Sequence, residues 1–109
     1  MARYDSAVDD VTAQLAEGKS LVPDHLWGGI LNHVLEGHGT GSFLTHVFRN
    51  DLLNAATGAD EVSLARLPDL MRFLHNYAPQ SSWGTPKRVS RWREAGGIRG
   101  GAHELEDAE

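Results

Sequence analysis

Apolar residues recur at three- and four-residue intervals along most of the chain, and no segment alternates with period two. This pattern predicts an all-α fold, a compact bundle of about five short helices. Tyr4, Ala7, Val8, Val11 and Leu15 share one helical face, with Asp5 or Ser6 placed to cap its start and Gly18 to end it. A second helix opens at Pro23, which pre-sets the first turn, and Asp24, which suits the positive end of the helix dipole. Leu26, Ile30, Leu31, Val34 and Leu35 form its stripe, and Gly37 stops it. Gly28 and Gly29 lie inside this helix, where each costs roughly 1 kcal/mol relative to alanine, so they are expected to admit a neighbouring backbone.

The stretch from His38 to Ser42 reads as a tight connection whose serine caps a third helix, from about Phe43 to Ala56, with Phe43, Leu44, Val47, Phe48, Leu52 and Ala56 inward. A fourth helix opens at Asp60 or Ser63 and buries Val62, Leu64, Leu67, Leu70, Met71, Leu74 and Tyr77. Pro68 lacks a backbone donor and clashes with the preceding turn, which predicts an irregular first turn or a kink. Pro79 ends that helix, Gln80 to Gly84 form a loop, and the pair Thr85-Pro86 starts a fifth helix running to about Ala95. Its inward side is Val89 and Trp92, with Lys87, Arg88 and Arg91 outside. Residues 1–98 are thus expected to form one helical domain, with 1–18 an added N-terminal helix and 23–98 the core, while 99–109 reads as a disordered acidic tail.

A length of 109 residues leaves room for one core, and 40% hydrophobic with 23% charged residues is ordinary for a globular chain. No apolar run approaches the ~20 residues of a membrane span, so a soluble cytoplasmic protein without membrane contact is expected. The absence of cysteine excludes disulfides, thiolate catalysis and cysteine-built metal centres. The net charge of −5 is unevenly distributed. Residues 1–82 carry five basic and ten acidic side chains, whereas Lys87, Arg88, Arg91 and Arg93 cluster in 83–98 against Glu94 alone. One short basic helix in an acidic chain argues against a nucleic-acid surface but leaves room for a local anion site.

Several groups carry candidate chemistry. The turn Gly39-Thr40-Gly41-Ser42 places backbone N–H groups and two hydroxyls at a helix start, which suits a phosphate or carboxylate as well as a plain connection; it matches no nucleotide fingerprint. Arg49, His38 and His46 lie close enough in sequence to add charge. Asn50 and Asp51 are poor helix formers in mid-helix and read as partners across a helix interface, Asp51 with Arg72; the alternative has Asn50 and Arg49 lining a ligand pocket. Trp83, Trp92, Arg88 and Arg91 combine rings and cations that could stack a base and neutralise its phosphate, although Trp92 is spaced for the core and Trp27 for the core or an oligomer contact. No metal or cofactor is expected: the six histidines form no i, i+4 pair, and His25 and His33, eight residues apart, stand about 12 Å from each other along a helix. No nucleophile sits beside an acid–base pair, so the chain is read as a non-enzyme.

Gly41-Ser42-Phe43-Leu44, Asn50-Asp51-Leu52, Ala59-Asp60, Arg72-Phe73-Leu74-His75-Asn76, Pro79 and Trp83-Gly84-Thr85-Pro86, with Trp92 following, resemble a family of small, mostly uncharacterised helical proteins encoded by bacteriophages and prophages. The resemblance spans about Pro23 to Ile98; the helix before Pro23, Pro68 and the acidic tail depart from it. It implies a phage protein acting in the cytoplasm of the infected host. The corresponding expectation is a non-catalytic binding protein that antagonises host defence by sequestering a small nucleotide-derived signal. The alternatives are an inhibitor that occludes a host defence protein and a DNA-binding or transcription-modulating protein. Such a ligand would place its phosphate against Gly39, Thr40, Gly41 and Ser42, with Arg49 or Arg88 neutralising it, Asn50 and Arg91 nearby and Trp83 stacking. A homo-oligomer, most simply a dimer, is expected because Trp27, Phe43, Phe48, Leu52, Phe73 and Trp92 are many large side chains for so small a core.

Overall fold

The computed structural model describes residues 3–105, and every regular element among them is helical. Seven α-helices rather than about five are present, because two of the expected helices are each broken in the middle. The first, α1 (Asp5–Glu17), buries Val8 and Leu15 and closes at Gly18, where a Cβ would strike the Tyr77 ring. Neither Asp5 nor Ser6 caps it; Tyr4 holds the cap position without a side-chain bond.

Helix α2 (Asp24–Leu31) runs into a wider π turn, Asn32–Glu36, before Gly37 stops it in the left-handed conformation at φ 68°. The π turn is held from outside: the Trp92 indole N–H donates to the carbonyls of His33 and Val34 at 3.1 and 3.0 Å, and the His38 amide reaches back to Asn32. Such single wide turns concentrate at functional sites. The helix glycines do not admit a backbone. Gly28 has open space where a Cβ would be, and a Cβ on Gly29 would meet the side chain of Leu44.

The expected third helix divides into α3 (Ser42–Phe48) and α4 (Leu52–Gly58). Asn50 at φ 61° turns the chain in the left-handed region that asparagine tolerates, and Asp51 then caps α4 by accepting from the Asn54 backbone at 3.4 Å and its side chain at 2.7 Å. Asp51 therefore does not pair with Arg72; the Nδ1 of His46 lies 3.5 Å from its carboxylate. The break turns Leu52 and Leu53 outward. Ser42 begins α3 without capping it, the cap position being Gly41.

The fourth expected helix divides at Arg66 into α5 (Glu61–Ala65) and α6 (Leu67–Tyr77), with Pro68 in the first turn of α6, where a missing donor costs nothing. Asp60 caps α5 through the Ser63 amide at 2.7 Å. Leu70, Phe73 and Leu74 are buried, but Val62 and Leu64 on α5 are exposed, contrary to the periodic reading. Helix α7 (Pro86–Ala95) starts as expected, with Thr85 accepting from the Arg88 amide at 3.1 Å.

Phe48, Phe73 and Trp92 are fully buried in one core with Leu15, Ile30, Val34 and Ile98, and Trp27 lies edge-on to Phe73, ring centres 5.9 Å apart. The radius of gyration, 13.0 Å, equals the ~13 Å of a compact domain of this length. The segment after α7 corrects the expectation of a disordered tail from residue 99. Ile98–Gly100 and Ala102–Glu104 form 3₁₀ turns, Ala102 is 1% exposed, and the Tyr4 hydroxyl donates to Glu104 at 3.0 Å. Only the remainder of the expected tail, 106–109, lies outside the described residues. Where α7 ends, Gly97 backs onto Gly37 so closely that a Cβ on either would lie 2.6 Å from the other's backbone nitrogen. No described helix is long and apolar enough to cross a membrane.

Candidate site around Arg93

Pinning Trp92 to the π turn fixes the next side chain of α7, because successive helical residues point ~100° apart. Arg93 is thereby directed at three polar atoms from two other elements. Its Nε donates to His33 Nδ1 at 3.2 Å, and its Nη2 donates to the hydroxyls of Thr40 at 3.1 Å and Thr45 at 3.3 Å. The two hydroxyls lie 3.1 Å apart.

A guanidinium cannot accept, so His33 Nδ1 is the acceptor and the imidazole proton sits on Nε2, which donates to the Ser82 carbonyl at 2.7 Å. The ring is fully buried and stacks on Phe48 with centroids 4.1 Å apart. Burial, reinforced by the positive charge of Arg93, lowers its pKa to about 4, so His33 is neutral near pH 7.

Every partner of Arg93 is thus uncharged. No carboxylate hydrogen-bonds or ion-pairs with it among the described residues, although Arg66 holds Asp69 and Arg99 holds both Glu36 and Asp5. Burial first, then the charge of Arg49, lowers the Arg93 pKa. Arg49 lies one turn beyond Thr45 on α3, extends into solvent and bonds to no described residue. The partly buried Arg93 guanidinium and the two hydroxyls therefore meet no acid among the described residues, whereas partly buried charges are ordinarily paired.

The sequence-predicted residues fall around this cluster unevenly. Thr40 is in it and Arg49 beside it. Gly39 and Gly41 have open space where a Cβ would be, and Ser42 is exposed at the start of α3, a helix of only seven residues. Asn50 makes the left-handed turn after Arg49. Trp83 follows Ser82 in the loop against α3, whose Phe48 carbonyl accepts from the Gly84 amide; its own indole N–H is buried without an acceptor. Arg88 lies against Gly84, and Arg91 is half-buried on α7. The residues missed were Arg93, Thr45 and His33. Arg93 was visible only as part of a basic run, and its position next to Trp92 was the available clue.

Beside the cluster, a groove of about 350 Å³ runs between α2 and the turn before α3. A wider cleft of about 610 Å³ lies at Lys19–Asp24, but its arginine, Arg66, already serves Asp69 at 2.9 Å and the Ser20 carbonyl at 2.7 Å. No three His, Asp or Glu side chains gather as a metal site among the described residues. Comparison of the chain with protein-family models, with curated proteins and with solved structures finds no match.

Proposed function

We propose that the chain is a non-catalytic binding protein that captures a small phosphate-bearing, nucleotide-derived ligand, acting, in the phage setting that its sequence resemblance implies, against a host defence signal. The observation that supports this reading most is the Arg93 guanidinium held against the Thr40 and Thr45 hydroxyls with no acid among the described residues and with the charge of Arg49 acting on it. Phosphate oxygens accept from guanidinium and hydroxyl donors together, and charge-assisted contacts of this kind are the strong ones. Arg93, already held by three hydrogen bonds, supplies fixed geometry. Arg49 supplies mobile charge. Calorimetric titration of cyclic nucleotides and related nucleotide signals should give binding that weakens at least about tenfold in Arg49→Ala, since a contact to a charged group contributes ~1.5–3 kcal/mol. Absence of binding heat with all of them, or unchanged affinity in the variant, refutes the reading.

One observation favours the protein-occluding alternative and self-association alike. Leu53, 75% exposed, with Val62 and Leu64 presents apolar surface on α4 and α5. Because Phe48, Phe73 and Trp92 are buried within one chain, a dimer now rests on these smaller residues rather than on the large aromatics. The DNA-binding alternative has only the short basic α7 behind it, and Arg93 on that helix is turned inward.

A further inference from the structure

The groove beside Thr40 differs in character from the arginine cluster. Leu26, Phe43 and Leu44 give it an apolar floor, Gly29 widens it, and Thr40 and Asn32 stand on its rim. Thr40 is a wall common to both. Its methyl lies 3.8 Å from where a Gly29 Cβ would be, while its hydroxyl takes the Arg93 bond at 3.1 Å. A molecule lying in the groove can therefore pass over the Thr40–Gly41 lip to the guanidiniums, and the absent side chains of Gly39 and Gly41 leave that lip low.

Two features of the groove suit a planar heterocycle. Phe43 is half-buried, packs against the core, lines the groove and pairs with no other ring among the described residues, so the part of it that faces the groove can contact a planar ring. Asn32 is exposed, and its carboxamide hydrogen-bonds no described protein atom. A carboxamide offers one donor and one acceptor side by side, which matches the ring-nitrogen acceptor and exocyclic amine of adenine; guanine presents two acceptors on the same edge and is matched by arginine or lysine, neither of which lines the groove. The volume, about 350 Å³, lies at the small end of ligand pockets and suits one ring system rather than an extended ligand.

Resting on the anion-capture reading above, we propose that the groove between α2 and the turn before α3 is an adenine subsite, Asn32 reading the base edge and Phe43 stacking it, with the phosphate of the same nucleotide on Arg93 and Arg49. The ligand class is then an adenine nucleotide rather than an arbitrary phosphate.

The test uses the full-length protein and two probes with the same phosphate, adenosine 5′-monophosphate and ribose 5-phosphate, titrated calorimetrically. Wild type should bind the nucleotide at least tenfold more tightly than the sugar phosphate. Asn32→Ala, an exposed change, should reduce that ratio about fivefold or more and leave ribose 5-phosphate affinity unchanged. Gly29→Ala should reduce it also, because the new methyl would lie 2.7 Å from Leu44 Cδ1 and push that side chain into the groove. Arg49→Ala should weaken both probes by the same factor. Equal binding of the two probes by wild type, or a ratio that survives both groove variants, overturns the adenine subsite while leaving anion capture standing, provided Arg49→Ala still weakens binding. Failure of both probes to bind overturns the adenine subsite, and anion capture falls with it only when the cyclic nucleotides also give no binding heat.

Discussion

Acidification should destabilise this protein through one buried ring. His33 donates to the Ser82 carbonyl through Nε2 and accepts from Arg93 through Nδ1, so a second proton on the ring would turn Nδ1 into a donor facing a donor. The folded chain resists that proton until about pH 4, against 6.5 for an ordinary histidine. Between those values the unfolded chain binds more protons than the folded one, so stability rises with pH, is complete above about 6.5 and falls away as pH drops toward 4. Each tenfold in proton affinity corresponds to about 1.4 kcal/mol, which places the loss at about 3 kcal/mol. A domain of this size holds on the order of 5–15 kcal/mol in total.

The assay is urea unfolding followed by tryptophan fluorescence at several pH values from 7.5 to 4.5, with melting temperatures measured in parallel; full loss corresponds to about 12 °C at this chain length. His33→Gln keeps a donor and an acceptor but no titration, and should flatten the profile; subtracting it isolates the imidazole from other groups. The carboxyls of Asp51 and Asp60, held below their usual range by hydrogen bonds from Asn54 and Ser63, contribute stability that is lost only as pH falls through the carboxylate range, beneath most of this window. A wild-type profile flat down to pH 4.5, or one with the same slope in wild type and variant, would refute the argument.

Arg49→Ala should leave the melting temperature of the free protein unchanged or slightly raised, because it removes a repulsive neighbour of Arg93 and no bond, while weakening ligand binding; a clear drop in stability would show a structural role instead. Gly97→Ala should cost at least ~3 kcal/mol, combining the strain of a side chain at φ 65° with a clash on the Gly37 backbone, and denaturant unfolding measures it. Removing residues 100–109 should lower the melting temperature by more than about 4 °C, since it strips buried Ala102 and the Tyr4–Glu104 bond. Sedimentation at micromolar concentration should give a dimer that Leu53→Asp converts to monomer; a single 11.9 kDa wild-type species would refute it.

Much of the fold was legible because its punctuation is chemical. Gly37, Thr85-Pro86, Asp60 and Gly96 each mark a boundary through a φ value or a cap, and those boundaries are where the residues place them. What periodicity could not show was that a short helix may be broken without losing its pattern: Val47, Phe48 and Leu52 keep helical spacing across Asn50, yet the left-handed turn there rotates Leu52 out of the core. The ends of the chain were misread for a related reason. Ile98 and Ala102 stand four residues apart, a helical spacing, but they are a lone pair among Gly96, Gly97, Gly100 and Gly101 and so make no stripe, whereas glycine is what lets that segment wind tightly against α7 and Tyr4. Of the site, Thr40 and Arg49 were visible as polar residues next to a glycine turn. Arg93 and His33 were not, since their meeting depends on a contact sixty residues apart in sequence.

The wide turn at Asn32–Glu36 joins these strands of the argument. The π turn presents two carbonyls to Trp92, those of His33 and Val34, and the His33 carbonyl accepts from the Gly37 amide as well. That anchor buries a tryptophan, which stabilises the core, and simultaneously sets the azimuth of Arg93, which does not. A guanidinium among neutral partners and beside a second cation is a costly arrangement for a 109-residue chain with little stability to spare. On the proposed anion-capture function the cost would fall when an anion engaged both arginines, which would couple ligand to fold. Binding of a dianion should accordingly stabilise the region between the π turn and α7 more than α4 and α5, whose packing does not depend on the Arg93 network.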